Sequence, residues 1–245
     1  PNILGLGKRS KACKITAGKE AKAMGTPTTF KRKEVKYFIT YDQRVKLQAL
    51  MEEHMSPDSF GKSTIMNIYY DTDNKELIRH SMEKPVYKEK LRVRSYGTAT
   101  PESTVFVELK KKYKGIVYKR RVSMSQRDAK LWLERDDMPP KDSQIIREID
   151  YFTHVYTIKP AVLLSYEREA FFGKEDPEFR MTFDDAILWR DYDICLCKGA
   201  YGKAILPPKT QLLEVKAGMG MPMWLTKFFS ENNIFATSFS PVSCK

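Results

Sequence analysis

Histidine is scarce in this chain: His54, His80 and His154 are the only three in 245 residues, and their scatter gives no metal-ligand spacing. No histidine–aspartate pair recurs in the motifs described below, so nucleophilic catalysis built on such a pair is not expected. Cysteine is also sparse. Of Cys13, Cys195, Cys197 and Cys244, the Cys195-x-Cys197 pair is too tight for a usual zinc pair, and no second pair or nearby histidine completes it. Free thiols in a reducing compartment are the expectation. No window approaches 18 uninterrupted apolar residues, so no membrane-spanning helix is expected. The basic residues near the start are not followed by an apolar core of adequate length, so this stretch is not expected to be a signal peptide. There is no internal repeat and no low-complexity tract.

What is abundant is positive charge. The formal net charge is +12, of which the first 25 residues carry +5 and the remainder +7. Residues 1–28 lack aromatics and apolar periodicity and are read as a basic arm, flexible or extraneous to the fold. Residues 29–245 have the length and the apolar content for one large domain. A basic excess implies an anionic partner, whether nucleic acid, lipid headgroup, nucleotide or another polyanion, and the direction in which the charges point decides among them.

Thr40-Tyr41-Asp42-Gln43 has the form of a capping box, and Leu47, Leu50, Met51 and Met55 follow at helical spacing. Further helices are expected after Asp71-Thr72-Asp73, from Ser125, and from Pro222. Asp71-x-Asp73 has the look of a calcium loop, but the glycine and terminal glutamate positions fail, so it reads as a strand end and helix cap. Eight strand-like runs lie between: 29–39, 63–72, 88–97, 104–113, 115–124, 161–172, 179–185 and 211–218. Short connections, such as Tyr113-Lys114-Gly115, suggest antiparallel hairpins. The expected class is α+β, mostly β: an eight-stranded antiparallel barrel with helices packed outside it.

Side chains at i and i+2 share one face of a strand. On that reading Arg32, Glu34 and Lys36 share a face of the first run. Arg92 and Arg94 do so in the third, Glu108, Lys110 and Lys112 in the fourth, and Lys119 and Arg121 in the fifth. Tyr166 and Arg168 follow in the sixth, Glu214 and Lys216 in the last. The opposite faces carry Leu91, Val93, Val105, Val107, Leu109, Leu213 and Val215. One such strand is the wet side of an ordinary sheet. Six of them, mostly cationic, are consistent with the inside of a barrel, where like charges are tolerable only with water, carboxylates or an anionic ligand. A phosphate chain suits guanidinium and ammonium groups. Glu214 would then hold Mg²⁺ or Mn²⁺, or form a salt bridge to a neighbouring strand. Glu34 and Glu108 either balance charge or help hold the metal.

The ordered set Phe30 to Tyr37 (FKRKEVKY), LRVRSYG, FVELK, GIVYKRR, SYEREAF and LLEVK resembles the VTC domain, the catalytic domain of the vacuolar transporter chaperone polyphosphate polymerase. That domain belongs to the wider group of triphosphate tunnel metalloenzymes, related to CYTH domains. The resemblance covers roughly residues 29–240. It implies an eight-stranded tunnel, a divalent metal, and transfer of the γ-phosphoryl of ATP to a growing polyphosphate chain. It places Lys36, Arg92, Arg94, Lys110, Lys119, Tyr166 and Arg168 among the tunnel's phosphate contacts and Glu214 on the metal. Two positions depart from the pattern. Arg32 stands where many tunnel triphosphatases have a first glutamate, which favours the VTC branch. The lysine expected in a terminal S-K-[FY] motif is absent at 241, and whether Lys245 takes its place is left open.

The expected chemistry asks for placement and charge. Arg92, Arg94, Lys119 and Arg168 are expected to cradle the donor triphosphate and incoming chain, with Arg121 and Lys216 as further phosphate contacts. Tyr166 either donates to a phosphate or packs. The implied partners are ATP and polyphosphate, triphosphate or pyrophosphate, with a membrane protein as a possible further partner, and the expected compartment is the cytoplasm. Hydrolysis of a triphosphate is the alternative activity. A non-catalytic polyanion or nucleic-acid binder, stacking bases on Tyr37, Tyr69, Tyr96 and Tyr113, is the alternative of a different class. It is disfavoured because no nucleic-acid-binding motif is present.

Overall fold

The computed structural model describes residues 33–239 apart from 115, 136, 140 and 219. The basic arm at 1–28, Arg32, Cys13, Cys244 and Lys245 lie outside the described residues. β1 (Lys33–Thr40) runs into α1 (Tyr41–His54) through the capping box read from the sequence. The Gln43 backbone N–H donates to the Thr40 hydroxyl at 3.2 Å, and the Thr40 N–H donates to Gln43 Oε1 at 2.9 Å. β2 (Met55–Pro57), β3 (Ser63–Asp71) and α2 (Glu76–Met82) follow. The Asp71 carboxylate accepts from the backbone N–H groups of Thr72, Leu77 and Ile78 at 2.8–3.0 Å, so it caps α2.

The hairpins β4 (Tyr87–Tyr96), β5 (Thr104–Tyr113) and β6 (Ile116–Ser125) lead to α3 (Gln126–Arg135) and α4 (Gln144–Tyr156). Then come β7 (Lys159–Gly173), β8 (Arg180–Arg190), β9 (Lys203–Ala204), β10 (Thr210–Ala217), α5 (Met223–Glu231) and β11 (Ala236–Thr237). The strands join in the order β11-β1-β10-β8-β7-β3-β4-β5-β6, with β2 on β7 and β9 on β8, and every pairing is antiparallel.

This corrects the expected eight-stranded barrel. All eight runs form strands, but the sheet has 11 strands and, among the described residues, does not close: β6 and β11 are its two ends. The three additional strands span only two or three residues, too short to show an alternation in sequence. Among the described residues no helix is long and apolar enough to cross a membrane.

Two apolar cores share one side of the sheet. Leu91, Val93, Val107 and Leu109 pack beneath Leu77 of α2, Trp132 of α3 and Ile149 and Phe152 of α4. Ile39, Met181, Phe183, Leu213 and Val215 pack beneath Leu47 and Met51 of α1 and Leu225 and Phe229 of α5. The apolar parity of each strand is thus covered by helices, and the charged parity is left on the other side.

Candidate active site

Cross-strand register shows that the charged residues form one continuous face. Glu34 is opposite Lys216 and Lys36 opposite Glu214; Glu214 is opposite Thr182. Arg168 is opposite Asp184 and Ser63. Asn67 is opposite Arg94 and Tyr69 opposite Arg92; Arg92 in turn faces Glu108, which faces Arg121. Lys90, Lys110 and Lys119 lie in one cross-strand row.

The sheet curls. β1 and β4 are five strand spacings apart along the sheet path, about 24 Å if the sheet were flat. Yet Lys36 on β1 acts on the Lys90 ammonium on β4. Burial pushes Lys90 down to about 8, and the like charges of Lys88, Lys110 and Lys36 add to this against the attraction of Tyr69. The charged faces at the two ends of this path, the two walls of the sheet, are therefore within electrostatic reach of each other. The field there is strong: burial pushes the Tyr69 phenol up, but Arg92 and Arg94 pull it below its ordinary value.

The two walls differ in charge. On β4–β6, Lys88, Lys90, Arg92, Arg94, Lys110, Lys112, Lys119 and Arg121 share the face with one carboxylate, Glu108. Glu108 is 1 % exposed and contacts Arg92 Nη2 at 2.6 Å, Lys119 Nζ at 2.7 Å and Arg121 Nε at 3.2 Å. Burial would raise its pKa; the charges of Arg92, Arg94 and Lys119 overcome this and hold it at about 2. Arg94 is fixed by Asn67 Oδ1 at 2.8 Å and Tyr166 Oη at 3.3 Å, and Arg92 by Tyr69 Oη at 3.0 Å. Arg121 lies over the Phe106 ring at 3.6 Å.

On β1, β10, β8 and β7, carboxylates nearly match cations. Glu214 accepts from Lys216 at 2.6 Å and lies 3.8 Å from Lys36, which is 3.9 Å from Glu34. Burial alone would raise Glu214, but Lys216, Arg168 and Lys36 hold it far below the usual carboxylate range. Arg168 is gripped by Asp184 through two bonds of 2.6 Å. Burial pushes the Asp184 pKa up against the pull of Arg168, and the neighbouring Glu214 charge adds to that rise. Between the walls, Ile65, Tyr166 and Leu212 pack with Ile205, Leu206 and Phe239.

The structure thus brings Lys36, Arg92, Arg94, Lys110, Lys119, Arg121, Tyr166, Arg168, Glu214 and Lys216 onto one face. Tyr166 packs, its ring in apolar contact, and its hydroxyl accepts from Arg94. Glu108 is a charge-balancing hub. Sequence reading passed over Lys88 and Lys90, which continue the parity of Arg92 and Arg94, and Asp184, which holds Arg168. It also passed over Asn67 and Thr182. Neutral side chains carry no parity signal in a charge-based reading. Neither Cys195 nor Cys197, both free, lies on this face, and His54 stacks on Trp224 away from it.

Among the described residues, no cluster of three or more His, Cys, Asp or Glu side chains could cage a metal ion. Magnesium, however, binds through one or two carboxylates together with substrate phosphates and water. Glu214 fits that arrangement: it is ionised, and its strand partner Thr182 carries a buried hydroxyl without a hydrogen-bond partner among the described residues. The donor set suits a hard cation that arrives with phosphate.

A strongly curled antiparallel sheet with a basic inner face and helices outside is the triphosphate tunnel type of fold. A candidate adenylate cyclase from Bacillus halodurans matches at 15% identity and a TM-score of 0.53, over 84% of this chain and 92% of its own. A candidate adenylyl cyclase from Hippeastrum, described as having a dominant triphosphatase activity, matches at 14% and 0.51, over 84% and 91%. No curated protein matches the sequence. The VTC domain model matches residues 31–241, and the chain belongs to the VTC domain family.

Proposed function

We propose that the protein transfers the γ-phosphoryl group of ATP to the end of a polyphosphate chain. The observation that carries this reading is one continuous inner face that is cationic and nearly unneutralised on β4–β6 and bears the ionised Glu214 on β10. A terminal oxygen of the acceptor chain attacks the γ-phosphorus, the bond to the β–γ bridging oxygen breaks, and ADP leaves. The acceptor oxygen is already anionic near neutral pH, so no general base is required, in keeping with a hollow that contains no histidine. Arg92, Arg94, Lys119 and Arg168 neutralise and align the phosphate oxygens, a contribution made by positioning and electrostatics. Asp184 and Glu108 keep those cations in place. Glu214, with Thr182, would hold a divalent cation, Mg²⁺ or Mn²⁺, which when bound would neutralise phosphate charge.

Hydrolysis of a triphosphate is the second reading, favoured by the triphosphatase activity described for the Hippeastrum protein. Product analysis decides. With ATP and Mn²⁺ or Mg²⁺, the expected products are ADP and long phosphate chains. Orthophosphate released one-for-one with ADP would establish the hydrolase instead, and metal-independent nucleic-acid binding without turnover would establish a receptor.

The lysine row has a consequence for stability. Lys90 prefers to be neutral in the folded protein, so between pH 8 and the ordinary lysine range the unfolded state binds more protons, and stability rises with pH across that window. Below pH 8 the folded protein must carry the half-buried charge. Lys90→Met is therefore expected to raise stability at pH 7 by roughly 1–3 kcal/mol and to flatten the rise. Thermal melts of both proteins at pH 7 and pH 10 check this; a variant less stable than the parent at pH 7 contradicts it.

A further inference from the structure

The cationic wall is longer than a triphosphate needs. From Arg94 to Lys88 the inner-face positions of β4 span about 20 Å and lead away from the apolar contact at Ile65. Arg92 and Arg94 are held by Glu108, Asn67, Tyr69 and Tyr166. Beyond them the character changes. Lys90 is opposite Lys110 and Lys88 opposite Lys112. Among the described residues no carboxylate pairs with Lys90, Lys110 or Lys112, and Lys88 donates only to the Ser81 carbonyl at 3.2 Å.

Like charges directly opposite each other on adjacent strands destabilise a sheet. Two consecutive rungs of this kind, each containing a half-buried lysine, therefore lack a partner that the described residues do not supply. A phosphate at each rung is the complement. A triphosphate held by the arginines does not extend that far; a linear polyphosphate does.

We propose that Lys88, Lys90 and Lys112 form a subsite for the phosphate chain beyond the donor triphosphate, so that this site selects polymer over triphosphate. This rests on the proposed polyphosphate activity for its purpose, but not for its test, which involves no turnover. Titration calorimetry of the full chain compares sodium tripolyphosphate with a long-chain sodium polyphosphate at several salt concentrations, without ATP. The parent protein is expected to bind the long chain more tightly, beyond the statistical gain from its many units. In the Lys88→Met/Lys112→Met double variant that advantage is expected to fall about tenfold, and the salt slope for the long chain to drop by roughly 1–2, because each lost phosphate contact releases fewer counterions. Tripolyphosphate binding should change by far less.

Lys227→Met, on the outer helix α5, removes a positive charge elsewhere and should alter neither ligand. An equal loss for both ligands in the double variant would reduce the row to general electrostatics and overturn the proposal. So would an unchanged preference for the long chain. If the chain-length preference depends on these lysines but ATP yields only orthophosphate, the subsite stands and the polymerase reading fails.

Discussion

Glu214→Gln is expected to lower metal-dependent ATP turnover by roughly 10²–10³-fold, the scale of losing one preorganised electrostatic contact in a phosphoryl-transfer site. The substitution keeps the side-chain volume and leaves an amide oxygen to accept from Lys216, which now donates at 2.6 Å. The fold should therefore survive, as circular dichroism would show. The sign of a second measurement separates a metal-holding carboxylate from a merely structural ion pair. Glu214 places a negative charge in a site proposed to bind anions, with Lys36, Lys216 and Arg168 around it. Without divalent metal, the glutamine variant should bind tripolyphosphate as tightly as the parent or more tightly, while added Mn²⁺ no longer strengthens binding. Parallel loss of metal-free binding and turnover would mean that Glu214 only shapes the wall.

Glu108→Gln is expected to cost about 3–5 kcal/mol of stability, the usual result of removing one member of a buried charge network. Three cations lie within 3.2 Å of this single buried carboxylate. The sign of its pH dependence follows from its pKa. The folded value of about 2 is below the ordinary carboxylate range, so its contribution is complete above that range and is lost as pH falls through about 2. The parent should lose stability progressively between about pH 5 and pH 2, and the variant should show a shallower decline over the same range. Urea unfolding at pH 7 and pH 4 checks both statements; equal stability of the two proteins at pH 7 would refute the hub role.

Much of this was legible in strand parity. LRVRSYG and FVELK display their inner and outer faces residue by residue, because charge and branched apolar side chains alternate without interruption. α1 was legible because Thr40 and Gln43 form both capping bonds. α4 was not: its Ile145-Ile146, Thr153 and Val155 are β-branched residues that suit strands, and only the Ile146, Ile149, Phe152 spacing and the Ser143 cap mark it as helical. The openness of the sheet was hidden for a different reason. Alternation states which face a residue occupies but not which strands meet at the ends. The role of Asp184 was hidden because grip on Arg168 depends on β7–β8 register, and a bulge between Ser165 and Glu167 shifts that register.

The central claim is that β1 and β4, distant along the sheet, face each other across a phosphate-binding hollow. Cysteines placed at Lys36 and Lys90, with the native cysteines replaced by serine, test it directly. A short bifunctional maleimide should link the two positions within one chain, and long-chain polyphosphate should block the reaction. Modification of each cysteine separately, with no intramolecular link and no protection by polyphosphate, would contradict it.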